Sequence, residues 1–206
     1  MSKDKTKKGK KSVKEYVVDF FSFVLIMLVV FRGYELVKLA SMDKDSFEIR
    51  KETDELYPQA GEVYNLYIDG KDKTQVDWNE YALQDEDGNT DYKYCYLMHC
   101  VDHFMYTLFV CAMLYLVLVI YKNSVFATPF TRENIKLVKA ISLLQVGLAF
   151  VPELVRKTMS LVKFNYIHSV IEIERVYMLG IAVVICGIAF IFEKGLILRE
   201  DVESIA

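Results

Sequence analysis

Proline, histidine and tryptophan are scarce in this chain: three, three and one among 206 residues. Its four cysteines form no Cys-x-x-Cys and no pair of loop cysteines, which removes a thiol-oxidising membrane enzyme from consideration. Cys111 and Cys186 lie in apolar runs, where a small thiol is ordinary packing material. Cys95 and Cys100 are five residues apart on one predicted helix, so their side chains diverge. The chain also lacks a glycine-rich phosphate loop, a nucleophile–base pair and paired catalytic carboxylates. Nothing here points to an enzyme or calls for a cofactor. No internal repeat is present, which weakens the case for a lone transporter built from inverted halves.

What the chain has is hydrophobic length. Apolar residues make up 53% of it, gathered into four runs: residues 16–40, 96–121, 135–162 and 176–192. Each approaches the roughly 20 apolar residues needed to cross a bilayer core of about 30 Å. The sequence therefore predicts an all-α integral membrane protein, a bundle of four transmembrane helices in contact with lipid. The first run has no small-residue cleavage site after it and reads as an uncleaved span.

Charge sets the expected orientation. Residues 1–15 hold seven lysines against Asp4 and Glu15, a basic tail suited to anionic lipid and not to nucleic acid. Residues 42–93 hold fifteen acids against six bases. The short connection at 122–134 and its flank are basic again, with Lys122, Arg132, Lys136 and Lys139 against Glu133. By the positive-inside rule the basic segments are cytoplasmic and the acidic insert, residues 41–95, is external. The connection at 163–175 is then external too, and the tail at 193–206 returns to the cytoplasm. This is the expected layout of a multi-pass protein of the bacterial plasma membrane.

Within the insert, "EVYNLYID" alternates, "DGK" reads as a turn and "TQVDW" resumes the alternation. That predicts a hairpin or larger β element stapled by Tyr64, Tyr67 and Trp78. "DEDGNTD" (85–91) misplaces its glycine for a helix–loop–helix calcium site and reads as a solvated turn.

Charged side chains inside spans are costly and are either paired or functional. Arg32 and Glu35 are three apart in the first span, and Glu153 and Arg156 are three apart in the third, beside Pro152. Each couple can pair locally, or Arg32 can meet Glu153 and Glu35 meet Arg156. The layer is read as structural first and as a sensing or transport site second. At the second span's start, Cys95, His99 and His103 recur at four-residue steps. His99 and His103 form a workable pair of zinc ligands with His168 on the same side of the membrane. Without a clear further ligand, interfacial hydrogen bonding is the simpler reading. Gly180 and Gly187 recur at a heptad step in the fourth span, which predicts close helix packing there.

The stretch "ATPFTRENIKLVK" opens the third span. Thr131 suits an N-cap, with Phe130 and Ile135 as a hydrophobic staple; alternatively Thr128 caps and Pro129 takes the first helical position. "PFTRENIKLVKAISLL", carried by Pro129, Phe130, Glu133 and Asn134, resembles the signature of a bacterial family of small four-span membrane proteins, the domain-of-unknown-function family 2975. The resemblance covers most of the chain. It implies the same four-span architecture and a cytoplasmic helix-turn-helix transcription regulator as partner, with those four residues as its binding surface. A regulatory partner protein is thus the first functional expectation. A transport or channel subunit, lining a pore as a homo-oligomer with the Arg/Glu layer, is the second.

Overall fold

The computed structural model describes residues 13–53, 62–126, 131–166 and 173–205. Four long helices dominate it: α1 (Val13–Ser41), α3 (Tyr92–Phe126), α4 (Arg132–Phe164) and α5 (Ile173–Ile205). All four are long and apolar enough to cross a membrane. Between α1 and α3 stand a single 3-10 turn, three strands, β1 (Phe47–Thr53), β2 (Glu62–Ile68) and β3 (Lys71–Val76), and a one-turn helix α2 (Trp78–Tyr81).

The helices pack in chain order, α1 on α3, α3 on α4 and α4 on α5. Among the described residues, neither α1 and α4 nor α1 and α5 make extended contact. The bundle is therefore open between its first and last helices. Helix α4 is central, and its polar side chains explain why. Asn134, Ser142, Gln145, Glu153 and Ser160 are all buried, and at 100° per residue they fall within an arc of about 100°. The polar stripe turns inward, where hydrogen bonds are available, and Leu143, Leu154 and Val162 turn outward. Ser142 illustrates this, donating to the Ala182 carbonyl of α5 at 2.9 Å. On α1, Phe20, Phe23, Ile26, Val30 and Phe31 are exposed around the helix. Leaving such area in water costs about 25 cal/mol per Å², so lipid is its natural surrounding.

Close packing falls on different residues from those expected. A Cβ on Gly180 or Gly187 would meet nothing within 4 Å. The heptad step exists, but on the other face: Ala182 and Ala189, two residues further on, are 2% and 0% exposed. Two residues rotate a helix by about 200°, so the glycines look outward while the alanines receive α4. The tight glycine is Gly147 on α4, whose Cβ would lie 2.5 Å from the Phe109 ring of α3.

The sheet is antiparallel in the order β1-β2-β3. The β2–β3 turn is Asp69-Gly70, both left-handed at φ 51° and 73°, the conformation a tight hairpin requires. Tyr64 stacks on Trp78 at 4.9 Å. Tyr67 takes a different role, donating to Glu52 and lying under the Arg50 guanidinium. That hydrogen bond holds the Glu52 carboxyl low and the Tyr67 phenol high. One face of the sheet buries Phe47 and Leu66 against Leu39, Tyr81, Cys95, Met98 and Phe164. The insert thus packs onto the ends of α1, α3 and α4. In the 85–91 segment, Asp85 Oδ1 accepts from the amides of Asp87 and Asn89, making a closed turn.

Candidate functional site

The densest set of charges lies where the insert meets the helices. Glu153 is the hub. Its side chain is only 9% exposed, yet three cations reach it: Arg156 at 3.1 Å, Lys157 at 3.0 Å and Arg175 at 2.5 Å. Arg156 and Lys157 come from the next turn of α4, at the i+3 and i+4 spacings that share a helix face. Arg175 comes from the first turn of α5. The Arg156 guanidinium also reaches Glu80 of α2 at 3.4 Å, and the other Glu80 oxygen contacts His99 Nε2 of α3 at 2.8 Å. One chain of contacts therefore joins α2, α3, α4 and α5.

Local sequence places each member. Asp77 caps α2 by accepting from the Asn79 amide, and an acid three residues after a cap sits at the positive end of the helix. That acid is Glu80. The imidazole of His99, hydrogen-bonded to Glu80, holds its carboxyl below the usual range despite partial burial. His99 in turn stacks flat on Tyr81 at 5.4 Å, and burial pushes the Tyr81 phenol up. His99 thus serves as a hydrogen-bonding residue at the interface. No group of metal-ligating side chains assembles among the described residues, and His168 lies outside them. The Thr107 hydroxyl donates to the His103 carbonyl at 2.8 Å, and no described contact links His103 to the hub.

The cross-span pairing considered from sequence does not form. Arg32 contacts Glu35 at 3.0 Å on α1, which packs on α3 and makes no extended contact with α4 among the described residues. The two couples therefore belong to separate clusters. The insert joins the second cluster through Glu80, which meets Arg156. Glu80 and Arg175 escaped the sequence reading because neither lies in an apolar run. The Asp77-x-x-Glu80 capping pattern was the available signal for the first.

At the opposite end, Thr131 caps α4, accepting from the Asn134 amide at 3.1 Å. This selects the first of the two capping schemes. Asn134 is 2% exposed. Its side chain accepts from Asn123 at 3.1 Å and reaches Ser124 Oγ at 3.3 Å, latching the end of α3 to the start of α4. A buried amide spent in this way presents no face to a second protein. Glu133, by contrast, is exposed. Pro129 and Phe130 lie outside the described residues. Beyond the latch, Lys139 meets Glu193 at 2.9 Å and Arg132 meets Glu200 at 2.7 Å, tying α4 to α5.

These features define a class: a multi-pass membrane protein with a small antiparallel sheet domain seated on one end of its helices. No protein-family model, curated protein or solved structure matches the chain.

Proposed function

We propose that this is a non-enzymatic regulatory membrane protein. The sheet domain faces the cell exterior and responds to conditions there, and the opposite end holds a helix-turn-helix transcription regulator. The observation that carries the reading is the bracing of α4 against α5. The pair is bolted at one end by Glu153–Arg175, and through Arg156 to Glu80 of the sheet domain. It is bolted at the other end by Lys139–Glu193 and Arg132–Glu200. A displacement of α2 has a contiguous route of charged contacts into α4 and α5, which then extend to the far side. A Glu153 carboxylate saturated by three cations is a poor carrier of protons or ions, which weighs against the transport reading. The regulator itself comes from the resemblance around Glu133 and Asn134, with Glu133 as the residue able to meet it.

Affinity capture of the full chain from native membranes tests this. A DNA-binding helix-turn-helix protein should co-purify, and Glu133→Lys should release it while the membrane protein remains folded. Recovery of no DNA-binding protein overturns the regulator reading.

A further inference from the structure

The sheet-side ends of three helices meet around Asp91. Its Oδ1 accepts from the Tyr94 amide at 2.9 Å and so caps α3. Its Oδ2 faces two ammoniums at once, Lys163 of α4 at 3.8 Å and Lys44 at 4.0 Å. Both distances exceed hydrogen-bond length, so each ammonium keeps donors for another anion. Lys93 stands beside them, donating to the carbonyls of Ala40 and Met42 at the end of α1. Three lysines thus share one boundary, and Asp91 is the only described carboxylate within ion-pair range of any of them.

Adjoining this cluster is a groove of about 350 Å³ lined by Tyr94, Leu154, Val155, Thr158, Met159 and Val162. Its polar groups are already satisfied: the Tyr94 hydroxyl donates to the Met159 carbonyl and the Thr158 hydroxyl to the Leu154 carbonyl. What remains is apolar, and Leu154 and Val162 face outward at its edges. Leu154 to Val162 covers about 12 Å of helix, close to the depth of one leaflet of the hydrocarbon core. Tyr94 and Val162 join the groove to Asp91 and Lys163.

We propose that this groove and its lysine rim bind one anionic phospholipid of the leaflet on the sheet side. The acyl chain lies along α4 from Val162 to Leu154, and the phosphodiester sits between Lys44 and Lys163. Three ammoniums line the rim with one described carboxylate, Asp91, in ion-pair range of them, and the groove beneath offers only apolar surface. That is the charge and polarity order of a phospholipid.

Native mass spectrometry of the full chain tests this, using delipidated protein and equimolar phosphatidylglycerol and phosphatidylcholine with identical chains. One phosphatidylglycerol should be retained in preference by about thirtyfold, the contribution of two lysines close to a membrane surface. The double variant Lys44→Gln/Lys163→Gln should lose the preference. Thr158→Trp, which fills the groove and leaves both lysines, should lower retention of both lipids. Glycerol phosphate alone should not raise the melting temperature. Equal retention by the unaltered protein, or a preference that survives the double variant, overturns the proposal; survival would assign the effect to other lysines. Stabilisation by glycerol phosphate equal to that by the lipid would reduce the site to a free-phosphate site and overturn it as well. If the double variant does not fold, Thr158→Trp decides alone, since unchanged phosphatidylglycerol retention in it also refutes the site.

Discussion

The two ends of α4 are both tied to α5 by charge pairs, but what each adds to those pairs differs. At the sheet side, Glu153 is held by residues scattered along the chain, with Arg175 and, through Arg156, Glu80 joining from other elements. At the far side, Asn123, Ser124, Thr131 and Asn134 close one turn between consecutive helices. The first is an assembly of charges completed by the return of α5, which brings Arg175, and by the docking of the insert, which brings Glu80. The second is a neutral latch that can form as soon as α3 and α4 meet. Both ends carry charge pairs to α5, but only the sheet side draws in the insert and only the far side closes a local chain reversal.

Removing the hub should break this comparison most severely. Glu153→Ala leaves Arg156, Lys157 and Arg175 without their shared carboxylate in a mostly buried position. Breaking a buried pair from one side costs about 3–5 kcal/mol, and equilibrium unfolding in bicelles should show a loss of that order. Glu153→Gln keeps the shape but not the charge and should retain little of the stability. A loss below that from Asn134→Ala would reverse the ranking of the two ends.

The middle of α4 supplies the next effect. Gly147→Val must push aside the Phe109 ring, which stands 2.5 Å from the position of the new Cβ. Overpacking of this kind costs about 1–3 kcal/mol. Gly180→Ala and Gly187→Ala meet open space and should stabilise α5 by up to about 1 kcal/mol, the helix-propensity difference. Thermal unfolding of the three variants separates the packed glycine from the outward ones.

At the far end, Asn134→Ala removes two side-chain hydrogen bonds at a buried position and should cost about 1–3 kcal/mol. Thr131→Ala removes the cap alone and should cost about 1 kcal/mol. Both are measured in the same unfolding assay.

The same division governs what could be read in advance. Apolar run length announced the four helices, Asp69-Gly70 announced the hairpin, and Thr131 before an acidic first turn announced the start of α4. Each signal lies within a few residues of what it specifies. The hub was half visible, because Glu153 and Arg156 stand out in an apolar run, but Glu80 and Arg175 become partners only through the docking of α2 and the return of α5. Periodicity also left a face ambiguous: residues 180 and 187 share the heptad step of 182 and 189, and only the neighbour's position decides which pair is buried. Asn134 was conspicuous as a polar residue in a signature, yet its burial depends on where Asn123 and Ser124 end up.

The smallest expected effect isolates the link between the sheet domain and the hub. Glu80 is partly exposed, at 43% of its side chain, so solvent screens its pairs and their loss should cost no more than about 1 kcal/mol. Its pH dependence is more telling than its size. The hydrogen bond from His99 lowers the folded-state carboxyl pKa below the value of 4.5 expected for a free glutamate. A carboxyl whose folded pKa is depressed contributes stability above its unfolded pKa and loses that contribution as pH falls through the folded value. The link should therefore hold at neutral pH and through the mildly acidic range, then release below the ordinary glutamate pKa. Trp78 begins the helix that carries Glu80, so its fluorescence reports the release. In Glu80→Gln the acid step in Trp78 emission should vanish while the hairpin stays folded. An unchanged step would place the link elsewhere in the insert and leave the hub mechanically separate from the sheet domain.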